Sequence, residues 1–234
     1  MDESWRLCSG TAYRFQENCS HRQHACSGNG GRHGKNLRRT RRRSPAASPS
    51  QARQAGMAGG SSNCAAALKG MNQLFDLGLS IDELCEIGVT LGADVPYCIW
   101  GGTALSEGIG EKLSRVDAMP DCYILIAKPG ISVSTAFVYK NLDLPALSKH
   151  PDIDGMLECL KEKDLTGICD RLENVLETVT IKEYPIIEKV KKHLMDQGAK
   201  GALMSGSGPT IFAIFEDKKT ADDAMESLRS IEDI

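Results

Sequence analysis

The chain has 234 residues, 41% of them hydrophobic, and a net charge of −3, enough for one large domain or two small ones. No run of about 18 apolar residues occurs, which excludes a membrane-spanning helix, and the start Met1-Asp2-Glu3-Ser4-Trp5-Arg6 lacks the apolar stretch of a secretory signal. Nine cysteines without a C-x-x-C pair argue against a disulfide framework and for a reducing compartment, so a cytoplasmic protein is expected.

The near-neutral total hides a seam. Residues 1–54 carry ten Arg and one Lys against three acids, a net of +8, and contain neither Val nor Ile. Residues 55–234 carry three Arg and 14 Lys against 28 acids, a net of −11. A segment without β-branched apolar residues cannot bury enough surface to offset its ordering entropy, so a disordered basic head is expected. Translation out of frame upstream of a frameshift would produce the same compositional switch, and both readings stand. Within the head, Cys19, His21, His24 and Cys26 crowd four potential zinc ligands into eight residues, unlike the separated ligand pairs of small zinc domains. The run Arg38-Arg39-Thr40-Arg41-Arg42-Arg43 suits a polyanion, but no aromatic residues interleave with it, so nucleic-acid binding is not expected.

Beyond the seam comes Ala55-Gly56-Met57-Ala58-Gly59-Gly60-Ser61-Ser62-Asn63, a glycine-rich run feeding a helix expected over Ser62–Phe75. Glycines allow close backbone approach to a ligand, and a helix N-terminus offers unpaired N–H groups and positive potential. No Lys follows, so the run is not the G-x-x-x-x-G-K-[ST] loop, nor is it a clean G-x-G-x-x-G. A capping box at Ser80 and Glu83 starts a second helix over Ile81–Thr90. Gly92-Ala93-Asp94-Val95-Pro96 ends that helix, and Tyr97–Leu105 reads as a strand with a bulge at Gly101-Gly102.

Further along, Cys122–Ala127 reads as a buried strand, and Ser134-Thr135 caps a short helix toward Tyr139. Helices follow at Ile153–Lys161, Leu165–Glu177 and Pro185–Gln197, with Pro185 in a first turn and Gly198 past an end. Gly201–Ser205 and Thr210–Phe215 are short strands around Gly206-Ser207-Gly208-Pro209, and a last helix covers Lys219–Ser230. This order lacks regular βαβ spacing, so an α+β fold is expected.

Three pieces carry chemistry: the glycine-rich run, Asp94, and the second loop Ser205–Thr210. Phosphoryl transfer needs a phosphate cradle and a group that accepts the proton of the attacking hydroxyl. On pattern alone Asp94 reads more readily as a turn or capping residue than as that proton acceptor.

Gly56–Asn63, Leu91-Gly92-Ala93-Asp94-Val95-Pro96 and Ser205-Gly206-Ser207-Gly208-Pro209-Thr210, together with Gly101–Glu111 and Lys128–Thr135, resemble the GHMP small-molecule kinases. Within that family the likeness is to the branch that phosphorylates a cytidine diphosphate-linked methylerythritol, in the non-mevalonate route to isoprenoids. The resemblance spans residues 55–234. It implies ATP-dependent phosphorylation of the substrate's 2-hydroxyl with Mg²⁺, without a protein-held metal cluster. It implies that Ala55, Gly56, Met57, Ala58, Gly59, Gly60, Ser61, Ser62 and Asn63 hold ATP, with Gly206, Ser207 and Gly208 closing the site. Asp94 would be the proton acceptor, and Thr135 and Tyr139 would face the cytidine end, where Tyr139 would stack; ordinary packing is the other reading of Tyr139.

The family also opens with a Pro-x-Lys-x-Asn-Leu segment whose lysine sits beside the catalytic aspartate. Here Lys35-Asn36-Leu37 echoes it without the proline. The resemblance therefore implies a GHMP-kinase-like fold lacking its N-terminal strands, and an incomplete, impaired enzyme of a small-molecule substrate. The division expected is a head at 1–54, the remainder of the N-terminal domain at 55–134, and a C-terminal domain at 135–234. The alternatives are another GHMP kinase, such as a homoserine or mevalonate type, or a non-catalytic basic-tailed polyanion-binding protein. Oligomeric state is not legible in the sequence.

Overall fold

A computed structural model describes residues 56–143, 150–229 and 231. The expected disordered head, its Cys19–Cys26 and Arg38–Arg43 clusters, and Ala55 lie outside the described residues. The first part of the described chain is three helices and a hairpin: α1 (Gly59–Leu74), α2 (Ile81–Leu91), α3 (Val95–Trp100), β1 (Ala104–Glu107) and β2 (Lys112–Arg115). The remainder is β3 (Tyr123–Ala127), α4 (Thr135–Lys140), α5 (Ile153–Glu162), α6 (Leu165–Asp170), α7 (Glu177–Glu183), α8 (Ile186–Asp196), β4 (Gly201–Met204), β5 (Ile211–Phe215) and α9 (Lys218–Leu228). Both sheets are antiparallel, β1-β2 and β3-β5-β4, as the α+β expectation required.

The larger core forms around β5, whose five residues are all buried. Side chains alternate across a strand, so Ile211, Ala213 and Phe215 join Ile187, Val190 and Leu194 of α8 and Ala221, Ala224 and Leu228 of α9. Phe212 and Ile214 turn to the other face and meet Cys169 of α6 and Leu203 of β4. Helices thus cover both faces of the three-stranded sheet. The smaller core is Ala65, Leu84, Val95 and Ile99 under α1, α2 and α3. Around it, apolar side chains face outward on α1, α2 and the turn between them, with Leu74 77%, Phe75 65% and Leu91 60% exposed.

Local signals explain most boundaries. Ser80 accepts the Glu83 N–H while the Glu83 carboxylate accepts the Ser80 N–H, the reciprocal box that starts α2. Ser134 caps α4 by accepting the Phe137 N–H. Pro185 precedes α8, and Gly198 follows its end at φ +90°.

Three expectations are corrected. Tyr97–Leu105 is not one strand: α3 occupies Val95–Trp100, and strand β1 starts only at Ala104. Gly101-Gly102 joins them with φ of +67° and +80°, no bulge but, at Gly102, a close approach to the Arg115 side chain. Pro96 sits in the first turn, where no N–H is required, and Val95 and Ile99, one helical turn apart, are buried together. Leu165–Glu177 is not one helix either. It breaks after Asp170, because Leu176 plunges into the main core and the Asn174 side chain accepts the Leu176 N–H, holding a turn. Helix α1 begins at Gly59, earlier than the expected Ser62.

Candidate phosphate-binding site

Helix α1 opens without a side-chain cap: Ala58 precedes it in the left-handed region at φ +46°, and no acidic residue stands in its first turn. The first intrahelical bond runs from the Ser62 N–H to the Ala58 carbonyl at 2.8 Å, so the N–H groups of Gly59, Gly60 and Ser61 precede the helical ladder. A Cβ built on Gly60 would meet no atom within 4 Å. The end of a 16-residue helix is therefore open, carries positive potential and holds no acidic residue in its own first turn.

Gly56 ties this end to the second loop, 149 residues away: the Ser205 hydroxyl donates to the Gly56 carbonyl at 2.7 Å. At Gly56, φ is +67°, and a Cβ would lie 2.3 Å from the Ser205 carbonyl oxygen and 3.0 Å from that of Gly208. Only glycine fits a backbone pressed this close against backbone. The Ser205–Thr210 loop closes on itself, with the Ser205 N–H bonded to the Thr210 carbonyl at 2.8 Å and the Gly208 N–H to the Ser205 carbonyl at 3.0 Å. Ser207 is buried and shares a 2.8 Å hydrogen bond with the Thr135 hydroxyl at the start of α4. Tyr139 lies one turn along α4 and is 46% exposed.

Asp94 lies at the entry to α3, where its side chain makes no capping bond. It is half-buried, and burial alone pushes its carboxyl above the ordinary aspartate range. Two contacts bring its turn to the open end of α1. A Cβ on Gly92 would stand 3.9 Å from the Ser61 hydroxyl, and the Ser62 hydroxyl lies 3.6 Å from the Cys98 sulfur. The β1-β2 hairpin presses on the same turn: at Gly110, φ +121°, a Cβ would fall 2.5 Å from the Ala93 carbonyl oxygen. Met57, Gly59, Gly60, Ser62 and Asn63 are exposed around the opening.

The structure thus joins Gly56 to Ser205 and Gly208, Ser61 to the Gly92–Asp94 turn, and Thr135 to Ser207. It sets Tyr139 apart from these contacts. Sequence reasoning missed Asn174, Glu177 and Thr180, which hold the second loop from behind. No local signal marks them, because the turn that carries Asn174 answers to the burial of Leu176 in the main core. Among the described residues no cluster of three His, Cys, Asp or Glu is arranged for a metal ion. No helix among them is long and apolar enough to cross a membrane.

The family model described as GHMP kinases N terminal domain matches residues 45–102, reaching upstream of the compositional seam, and that described as GHMP kinases C terminal matches residues 156–232. The chain is 54% identical over 175 residues to the 4-diphosphocytidyl-2-C-methyl-D-erythritol kinase of Lachnospira eligens, and 56% identical over 170 residues to that of Lachnoclostridium phytofermentans. Those alignments take in 75% and 73% of this chain but 61% and 58% of the relatives. The chain therefore spans about three fifths of the length of the curated relatives it matches. Among solved structures it is similar to a 4-(cytidine 5'-diphospho)-2C-methyl-D-erythritol kinase, with a TM-score of 0.64 at 30% identity over 76% of this chain and 63% of the other. In fold alone it is also similar to a homoserine kinase from Cytophaga hutchinsonii, with a TM-score of 0.62 at 22% identity over 74% of this chain and 61% of the other.

Proposed function

The chain belongs to the GHMP kinase family, and from that premise we propose that it carries the ATP-binding and proton-accepting parts of a kinase acting on the 2-hydroxyl of 4-diphosphocytidyl-2-C-methyl-D-erythritol. The substrate is taken from relatives of 52–56% identity that carry this name. The observation that carries the reading is the Ser205–Gly56 hydrogen bond, which brings two distant glycine loops to the uncapped end of α1.

Phosphoryl transfer asks mainly for positioning and charge neutralisation. The first-turn N–H groups of α1 receive phosphate oxygens, and the Ser205–Thr210 loop closes over them. Asp94, made more basic by burial, accepts the proton of the attacking hydroxyl. Mg²⁺ bound with the nucleotide would supply charge neutralisation on the transferring phosphoryl group. The hydroxyls of Ser61 and Ser62 are hard oxygen donors at the open end of α1 and fit it, its other ligands being phosphate and water. Thr135, held by Ser207, and Tyr139 mark the direction of the cytidine end. We assign residues 55–134 to the N-terminal domain and 135–234 to the C-terminal one, and place the protein in the cytoplasm.

We expect turnover below that of the relatives, of whose length the chain spans about three fifths, by about 10²–10³-fold if Asp94 works without one electrostatic partner. Phosphate transfer from labelled ATP to the cytidine diphosphate substrate, run beside the Lachnospira eligens enzyme, tests this. The expectation is slow transfer that Asp94→Asn abolishes. Turnover equal to that enzyme, or transfer that survives Asp94→Asn, contradicts it.

A further inference from the structure

The second glycine loop closes on itself through two backbone hydrogen bonds and is also held from the turn between α6 and α7 and from α7. Among the described residues strand β4 is an outer strand of its sheet, paired with β5 alone, so its far edge needs partners for its backbone groups. At Met204, its last residue, side chains supply them. The Glu177 carboxylate accepts the Met204 N–H at 2.8 Å, and the Asn174 amide donates to the Met204 carbonyl at 2.8 Å. The same Asn174 amide donates to the Gly206 carbonyl at 2.8 Å. Its two acceptors therefore bracket Ser205, whose hydroxyl holds Gly56.

Asn174 is itself fixed, because its side-chain oxygen accepts the Leu176 N–H at 3.0 Å, and Leu176 is buried in the main core. Glu177 is fixed by Lys191 at 2.6 Å, both side chains being largely buried. Thr180, one turn further along α7, donates to the Ser207 carbonyl at 3.4 Å.

We infer that Asn174 and Glu177 are positioning residues for nucleotide: they set the Ser205–Thr210 loop, and through Ser205 the Gly56 end of the first loop, in the geometry that receives phosphate. The inference rests on the reading of the site given above. Neither residue touches the open end of α1, so each acts through the loop. Both Asn174 donor contacts go to carbonyl oxygens. Replacing its amide by a carboxylate turns two attractive contacts into two repulsive ones without changing size.

The test compares the full chain with Asn174→Asp, Asn174→Ser, Glu177→Ala and Glu177→Gln. Three measurements are made: circular dichroism for folding, amide hydrogen exchange at Gly206–Gly208, and affinity for Mg-ATP and for adenosine. Folded Asn174→Asp is expected to exchange faster at Gly206–Gly208 and to bind Mg-ATP about tenfold more weakly, with adenosine affinity unchanged because it carries no phosphate. Asn174→Ser guards against misfolding of the charged variant and should weaken Mg-ATP in the same direction. Glu177→Gln keeps an acceptor for the Met204 N–H and should retain affinity that Glu177→Ala loses. Unchanged Mg-ATP affinity in folded Asn174→Asp and Asn174→Ser, with binding intact in the parent chain, overturns this inference alone. A parent chain that binds no Mg-ATP overturns the reading of the site and this inference with it.

Discussion

Asp94 shows how one side chain sets stability against chemistry. Burial raises its pKa above the unfolded value, so the folded state holds the proton more tightly than the unfolded one. Its favourable contribution to folding is complete below the unfolded pKa and is lost as pH rises through the folded pKa. At neutral pH it is a desolvated charge, and Asp94→Asn removes it. Thermal melts should therefore show Asp94→Asn melting higher than the parent at pH 7, with the gap closing below the folded pKa, while phosphate transfer, already slow in the parent, falls by about 10²–10⁴-fold and so below detection. An equal or lower melting temperature at pH 7 would mean that the carboxylate is satisfied where it stands. Two glycines of the first loop split in the same way. Gly56 is required by backbone contact with Ser205, whereas Gly60 faces open space and meets no such demand from the fold.

At the scale of elements, legibility followed from whether a local signal had a competitor. The Ser80–Glu83 box, the Ser134 cap and the Pro185 and Gly198 boundaries act within one turn of chain, and each appears within one residue of where the sequence placed it. Helix α3 was misread because Val95–Trp100 is a short apolar run, and periodicity alone does not separate a six-residue helix from a strand. The α6–α7 turn was invisible because it exists to bury Leu176 and to place Asn174 against β4, both tertiary demands. The glycine runs stand out in the sequence by composition. The roles given to their residues and to Asp94 came from the resemblance of the motifs to a kinase family, and the residues that hold the loops carried no such signal. The two cores also differ in depth. Four buried residues anchor α1–α3, while the cluster at β5 joins side chains from four helices and all three strands of its sheet. Amides of α1–α3 should therefore exchange with solvent faster than those of β4, β5 and α8. Uniform protection across both parts, measured by hydrogen-exchange mass spectrometry, would contradict that ranking.

Across the whole molecule, the family match and the exposed apolar side chains tell a consistent physical story. The chain spans about three fifths of the length of its curated relatives, and Leu74, Phe75 and Leu91 stand outward on the helices nearest its compositional seam. What is assembled nonetheless brings the open end of α1, the Ser205–Thr210 loop and Asp94 to one place through contacts between residues far apart in sequence. The central claim is that this place binds a nucleotide triphosphate through its phosphates. Calorimetric titration of Mg-ATP into the full chain tests it most directly. The account predicts saturable one-site binding that Gly56→Ala abolishes, Asp94→Asn leaves intact, and adenosine does not match in affinity. An absence of saturable heat, or binding of adenosine as tight as that of Mg-ATP, would contradict it.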